Sequence, residues 1–169
     1  MRLMFVYADK LGSRIIRWGL KEPVSHVAVD TQTEKGIYHS YGSGIRQVSR
    51  QDFHDDYTVY RSLYIHFPEN LQAQAVAKFE SYLSPHYRYD YPALGFFAFR
   101  ALLRRTLRIP FPKTNRMQLI DSFLCTEVVY LVAQVYAEMS GKLILQPDDD
   151  LAMLSPWAVY HIIKGRLSV

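Results

Sequence analysis

The period of the apolar residues changes near the middle of the chain. Up to residue 65 they form short runs rich in β-branched and aromatic residues, which is typical of strands. From residue 68 onward they recur every three or four positions, which is typical of helices with one buried face. Strands followed by helices predict an α+β fold. The chain has 169 residues and no internal repeat, so we expect residues 1–169 to form a single domain.

Five runs in the first part of the chain predict strands, and most of the links between them are short. Short links favour antiparallel neighbours, so we expect a meander. The segment Ser13–Leu20 predicts a short helix with Ser13 as its N-cap. His54, beside two aspartates, predicts a solvated turn. The predicted strands are Leu3–Tyr7, Ser25–Asp30, Gly36–Ser40, Gly44–Val48 and Tyr57–Ile65.

Three segments in the second part of the chain predict helices. The first is Pro68–Leu83. The second is Phe123–Met139, for which Ser122 is suited as the N-cap and Gly141 as the terminating residue. The last begins at Pro156, because proline suits the first turn of a helix.

Cysteine occurs once in the chain, as Cys125. A single thiol excludes an intrachain disulfide framework and a cysteine-rich zinc site. The histidines show neither an HExxH motif nor metal-ligand spacing, so we expect no metal and no cofactor. The net charge of +4 is too small to indicate a nucleic-acid partner.

The N-terminal apolar run does not match a signal peptide, because it is short and is followed by Asp9 and Lys10. No stretch of 18 apolar residues, the length that indicates a transmembrane helix, occurs in the sequence. We therefore expect synthesis in the cytoplasm, and the final location stays open.

Cys125 follows a predicted helix cap. With Ser122 as the N-cap, Cys125 would be the third helical residue, close to the free N–H groups and the positive end of the helix dipole. That environment favours the thiolate, which a nucleophilic cysteine needs near neutral pH. The alternative is a buried cysteine that serves as a small hydrophobic residue.

Two histidines lie in consecutive predicted strands. Strand alternation turns Val27 and Val29 to one face of the sheet and His26 to the other. Antiparallel pairing would place His26 and His39 side by side, so that one imidazole orients the other. Together with Cys125 they would supply the base, the orienting group and the nucleophile of a cysteine peptidase or amidase. The alternative for a single strand histidine is a hydrogen-bonded polar residue without a catalytic role.

The segment SHVAVDTQTEKGIYHSYGSGIRQVS, residues 25–49, resembles the histidine-bearing hairpin of the NlpC/P60 superfamily of papain-like cysteine peptidases and amidases. In that superfamily an HVGI strand carries the base and the next strand carries the third polar residue. His26 and His39 occupy these positions. Cys125 follows the strands instead of preceding them, and this order is similar to the circularly permuted, YiiX-like branch. In that branch the cysteine lies in an F-C-S-E helix start, and FLCTEVV, residues 123–129, is close to it.

Further short motifs follow in the order of the permuted branch, so the resemblance spans most of the chain. It implies a papain-like α+β fold in which an antiparallel sheet packs against the cysteine-bearing helix. The further motifs are Ser13-Arg14-Ile15, Tyr60-Arg61, Tyr89-Asp90-Tyr91 and the segment Pro147–Ser155.

The resemblance implies a thiol hydrolase that cleaves an amide bond through an acyl-enzyme intermediate. Cys125 would attack the carbonyl carbon, His26 would hold the thiol proton and give it to the leaving group, and His39 would orient His26. The backbone N–H of Cys125 would stabilise the oxyanion. Many permuted members carry glutamate at the third position, so His39 agrees better with the unpermuted branch. Glu127 resembles a glutamate of the family, and its alternative role is that of a partner of the helix dipole.

The best-represented substrate of the family is the peptide of the bacterial cell wall, and such domains occur in bacteria and in bacteriophage tails. We therefore expect a peptide or amide substrate, with peptidoglycan first, and a virion-associated location as one option. Two alternatives stay open. One is a lipid-directed acyl hydrolase or transferase of the same fold. The other is a structural plug or hub of a phage-tail assembly whose site is unused, with other proteins of the assembly as its partners.

The segment Ala93–Ile109 is apolar and aromatic at first and carries four arginines. It predicts an amphipathic helix packed on the sheet. Peripheral membrane contact, a partner groove and a lid over the substrate cleft are the alternatives. The segment is too short and too charged to span a bilayer.

Overall fold

The computed structural model describes residues 1–41, 44–83, 88–89, 99, 122–123, 125–146, 148–149 and 154–167. The described part is α+β, as the change of period predicts. The strands are β1 (Arg2–Tyr7), β2 (His26–Asp30), β3 (Ile37–Tyr41), β4 (Gly44–Val48), β5 (Thr58–Tyr64), β6 (Arg88–Tyr89) and β7 (Ser122–Phe123). The α-helices are α1 (Leu11–Leu20), α2 (Arg50–Asp56), α3 (Gln72–Ser81), α4 (Val128–Ser140) and α5 (Pro156–Leu167), and a 3-10 turn at Glu69–Leu71 leads into α3.

The main sheet has five strands in the order β4-β3-β2-β1-β5. The strands from β1 to β4 form the predicted antiparallel meander, in which Phe5 is opposite Val27 and Ala28 is opposite His39. The fifth strand departs from the meander, because β5 pairs with β1 and not with β4. β1 is thereby paired on both sides, and its residues 3–6 are fully buried. Burial of both faces accounts for the continuous apolar run of β1.

Side chains alternate along β2 between two apolar layers. Val27 and Val29 face the larger core, which the sheet forms with α3, α4 and α5. Ala28 faces a smaller cluster that includes Phe53 of α2. The sheet is therefore covered on both faces, and the residues of β2 are buried on both.

The helices of the second part bury one face each against the sheet. α3 buries Phe79 with its neighbours Ala75 and Val76. α4 ends at Gly141, whose φ of 70° is left-handed, as expected for a terminating glycine. α5 begins after Ser155, whose hydroxyl accepts a hydrogen bond from the Ala158 N–H at 3.1 Å.

The predicted N-cap of the first helix is wrong, because α1 begins at Leu11, before Ser13. The Ser13 hydroxyl accepts a hydrogen bond from the Ala8 N–H at 3.1 Å and lies 2.6 Å from the Ser25 hydroxyl. Ser13 therefore ties α1 to the residue that precedes β2 and does not cap the helix.

The solvated turn predicted at His54 is also wrong, because His54 lies in α2. The N-cap of α2 is Ser49, whose hydroxyl accepts a hydrogen bond from the Asp52 N–H at 3.1 Å. The spacing S-x-x-D is a capping signal. The helix is short and mostly polar, so the apolar period does not reveal it. Phe53 alone is buried in α2, and His54 is exposed.

The segment Ala93–Ile109 lies outside the described residues except for Phe99. The amphipathic helix and its contact surfaces therefore stay predictions. Phe99 is helical and its side chain is exposed. Within the described ranges, no helix has both the length and the apolar character needed to cross a membrane.

Candidate active site

His26 and His39 lie on adjacent strands and on the same face of the main sheet. Ala28 is opposite His39 in the register, so His26 is the diagonal neighbour of His39. His26 Nε2 lies 3.2 Å from His39 Nδ1, within hydrogen-bonding distance. Both side chains are buried. The fold therefore brings together the two histidines that the sequence places in consecutive strands.

Two aromatic side chains cover the histidine pair. Tyr57 stacks on His26, with ring centroids 5.2 Å apart and an interplanar angle of 23°, and it meets His39 edge-on at 5.6 Å. Phe53 meets His39 edge-on at 5.4 Å and stacks on Tyr57 at 4.8 Å. Phe53 belongs to α2, and Tyr57 is the residue directly after the last residue of α2. α2, which the apolar period of the sequence does not reveal, and the residue after it thus provide the apolar cover of the site.

Burial keeps both imidazoles neutral at neutral pH. Desolvation, with a smaller effect of the nearby His39, lowers the pKa of His26 to about 3. Desolvation and the positive charge of Arg46 lower the pKa of His39 to about 4, against the opposing effect of Asp56. A neutral imidazole has one donor and one acceptor nitrogen. When His26 Nε2 donates to His39 Nδ1, His26 Nδ1 is therefore free to accept a proton.

Cys125 lies before α4 and not in its first turn. The predicted helix start at Phe123 with Ser122 as N-cap is wrong, because these two residues form β7 and pair in parallel with Arg88–Tyr89. α4 begins at Val128. Cys125 therefore lies in the turn between β7 and α4. The pairing partner of β7 is distant in sequence, so local capping residues do not reveal this strand.

Backbone N–H groups near the Cys125 sulfur favour its thiolate. The N–H groups of Val27, of Cys125 itself and of Thr126 each lower the pKa of the thiol. Val27 directly follows His26, and the pairing of β2 with β3 begins only at Ala28. The thiol therefore lies near the start of β2, at the backbone of the residue that follows His26.

Burial nevertheless raises the pKa of the Cys125 thiol to about 11, and the side chain is only 8% exposed. The lowered pKa predicted from the helix dipole is therefore wrong. Cys125 precedes the helix, and desolvation outweighs the backbone hydrogen bonds. At neutral pH the resting site holds a neutral thiol and neutral imidazoles, and not a thiolate–imidazolium pair.

Glu127 occupies the N-cap position of α4. Its carboxylate raises the pKa of the Cys125 thiol and thereby opposes thiolate formation. Its place at a helix start fits a partner of the helix dipole. The family role of this glutamate stays a prediction.

The sequence indicates the thiol and both imidazoles, but it does not indicate three residues around them, which are Phe53, Tyr57 and Val27. The capping signal at Ser49 could have located α2 and with it Phe53 and Tyr57. The contact of Val27 with the sulfur depends on how β2 meets the turn before α4, and no local signal indicates it. Among the residues that the structure describes, no group of three or more His, Cys, Asp or Glu side chains could hold a metal.

Neither a family model, nor a curated protein, nor a solved structure matches this chain. The site geometry and the resemblance of the short motifs are therefore the basis for a functional assignment.

Proposed function

We propose that the chain is a cysteine hydrolase that cleaves an amide bond through an acyl-enzyme intermediate, in a circularly permuted papain-like fold of the NlpC/P60 type. The observation that carries the proposal is the effect of the Val27 backbone N–H on the Cys125 thiol, whose pKa it lowers. The single thiol of the chain therefore lies near the residue next to His26. His26 is in turn within 3.2 Å of His39. The proposed nucleophile, base and orienting group are thus all buried, with the thiol near the N-terminal end of the strand that carries His26.

In the proposed mechanism the neutral thiol and the neutral imidazole react together. His26 Nδ1 takes the thiol proton, because His26 Nε2 is engaged with His39. As the sulfur attacks the carbonyl carbon, the carbonyl π electrons move onto the oxygen, and the N–H of Cys125 stabilises the resulting oxyanion. The imidazolium keeps its Nε2–H bond to His39 Nδ1. His39 Nδ1 can accept this hydrogen bond only while it is unprotonated. The pKa of His39, lowered to about 4, keeps it unprotonated at neutral pH.

The tetrahedral adduct then collapses. The C–N bond breaks, His26 gives its proton to the leaving amine, and a thioester to Cys125 remains. Water, deprotonated by the same imidazole, attacks the thioester carbonyl carbon. The C–S bond breaks, the acid leaves, and the sulfur recovers a proton from His26.

The substrate proposal is the peptide of bacterial peptidoglycan, and it rests on the resemblance of the short motifs. The test is digestion of purified peptidoglycan, with new amine termini detected by mass spectrometry. Wild type should release peptide fragments, whereas Cys125→Ser should release none. His66→Gln, an exposed histidine outside the cluster, should match wild type.

Two results would count against this substrate. Equal digestion by wild type and Cys125→Ser would show that Cys125 is not needed for the release of the peptides. Intact peptidoglycan together with Cys125-dependent release of fatty acid from phospholipid vesicles would favour the lipid-directed member of the same fold.

A second candidate function is a structural component with an unused site. The burial of the Cys125 thiol and its pKa of about 11 favour this candidate, because an inert buried cysteine has the same properties. It predicts that no acyl group is ever transferred to Cys125, and that Cys125→Ala leaves the protein fully functional in its assembly.

A further inference from the structure

α1 presents large apolar side chains to solvent. Leu11, Ile15 and Trp18 are 74%, 51% and 52% exposed, and no residue within α1 is buried. Their spacing of four and three residues places them on one side of the helix. We call this surface the α1 outer face. An exposed apolar stripe on a helix indicates contact with a partner or a membrane.

Basic residues border the α1 outer face. Arg14 lies within the helix and is 64% exposed at its side chain, and Lys21 follows the helix and is exposed. Lys10 precedes the helix. Arg14 pairs with Asp9 at 2.8 Å.

Lys10 pairs with Asp56 at 2.6 Å. Both this pair and the Arg14 pair are solvent-exposed, and such pairs contribute little and exchange readily. Arg17 lies 4.5 Å above the Tyr7 ring and packs on the protein side of α1. Cations therefore outnumber anions along the helix and its flanks.

We propose that the α1 outer face binds an anionic lipid surface, with the three apolar side chains inserted at the headgroup boundary and the basic residues at the phosphates. Exposed apolar residues flanked by lysine and arginine are the features of an interfacial amphipathic helix. Three partly exposed side chains fall well short of the roughly 800 Å² per partner of a stable protein interface. They are enough to insert into a bilayer boundary, where a membrane supplies a continuous surface.

α1 contacts the start of the strand that carries His26, through the side of the helix opposite its outer face. The Ser13 hydroxyl of α1 lies 2.6 Å from the hydroxyl of Ser25, the residue before His26. Lipid binding by α1 would therefore hold the start of β2 near the membrane. The proposal stands on α1 alone and does not require that Cys125 is catalytic.

The test uses the tryptophan of the face as a reporter. The chain has two tryptophans, so Trp157→Phe leaves Trp18 as the single one. In this background we expect a blue shift of the Trp18 emission, and flotation of the protein, with equimolar phosphatidylcholine–phosphatidylglycerol vesicles. Leu11→Ser should weaken the partition coefficient about tenfold, the effect of removing one inserted leucine. Leu143→Ser is the matched control, because Leu143 is 55% exposed but lies after α4 and not in α1, and it should have no effect.

The charge contribution is tested by Arg14→Gln combined with Lys21→Gln. This variant should bind the anionic vesicles about tenfold more weakly or worse, and its binding to pure phosphatidylcholine should be unchanged. Unchanged Trp18 emission and no flotation with the anionic vesicles would overturn the proposal. Concentration-dependent self-association that Leu11→Ser abolishes, without vesicle binding, would overturn it in favour of a second copy of the chain.

Discussion

At the residue scale, the surroundings of the histidine pair determine its charge. The rings of Tyr57 and Phe53 exclude water from one side, and the sheet excludes it from the other. The desolvation that results lowers the pKa of both His26 and His39, so each is neutral at neutral pH. The same desolvation raises the pKa of Cys125. A site of this kind needs proton transfer during attack, because the thiolate is scarce beforehand.

The lowered histidine pKa values make stability depend on pH. In the unfolded chain both histidines titrate near 6.5, whereas in the folded chain they titrate at about 3 and about 4. The unfolded state binds more protons between these values, so stability is lost as the pH falls from about 6.5. Each histidine contributes about 1.4 kcal/mol per pH unit within this window. Urea unfolding at pH 6.5 and pH 5 measures the loss.

Matched variants separate this effect from other titrations. His39→Asn should lower the slope of unfolding free energy against pH by about half. His66→Gln removes an exposed histidine and should leave the slope unchanged. Equal slopes in wild type and His39→Asn would contradict the neutral buried pair.

Substitutions of Tyr57 test whether the aromatic rings over the histidine pair exclude water. Tyr57→Phe keeps the ring that stacks on His26, so we expect both histidine pKa values to stay near those of wild type. Tyr57→Leu removes the ring and admits water, which should raise them by on the order of one pH unit. Histidine resonances followed by NMR during a pH titration measure both values. Identical titrations of the two variants would show that the ring does not exclude water.

At the element scale, the strands of the candidate site could be predicted from the sequence and the turns around it could not. β2 and β3 were identified because their alternation and β-branched content are local properties. α2 was missed because it has one buried residue, Phe53, and is identified only by its cap. The start of α4 was misplaced because Ser122 pairs with Arg88, a contact that no local signal shows.

Ser49 is the N-cap of α2, the helix that carries Phe53 of the candidate site. Ser49→Ala removes the acceptor of the Asp52 N–H and should lower the free energy of unfolding by about 1 kcal/mol. Ser81→Ala is the control, because Ser81 lies at the end of α3 and donates to a carbonyl there. Chemical denaturation measures both changes. A loss of stability in Ser81→Ala as large as in Ser49→Ala would contradict the capping role.

At the scale of the whole molecule, the α+β class follows from the change of apolar period, and the sheet order follows only in part. The links from β2 to β4 are short and the link from β1 to β2 is one helix, so this meander could be predicted, whereas the return of β5 to β1 is a long-range pairing. The proximity of Cys125 to the backbone of Val27 in β2 is also a contact between residues distant in sequence. The proposed permuted papain-like arrangement would account for the position of Cys125, because it places the cysteine after the strands and returns it to the histidine strand.

The most direct test of the central proposal is the His26-dependent acylation of Cys125. Wild type is incubated with the p-nitrophenyl ester of an N-acylated amino acid, and the acyl group is located by mass spectrometry. We expect the acyl group on Cys125 in wild type and none in Cys125→Ser. Acylation should be at least about 100-fold slower in His26→Ala and in the larger His26→Gln, with folding checked by circular dichroism. Acylation of Cys125 at the same rate in wild type and in both folded His26 variants would contradict the proposal.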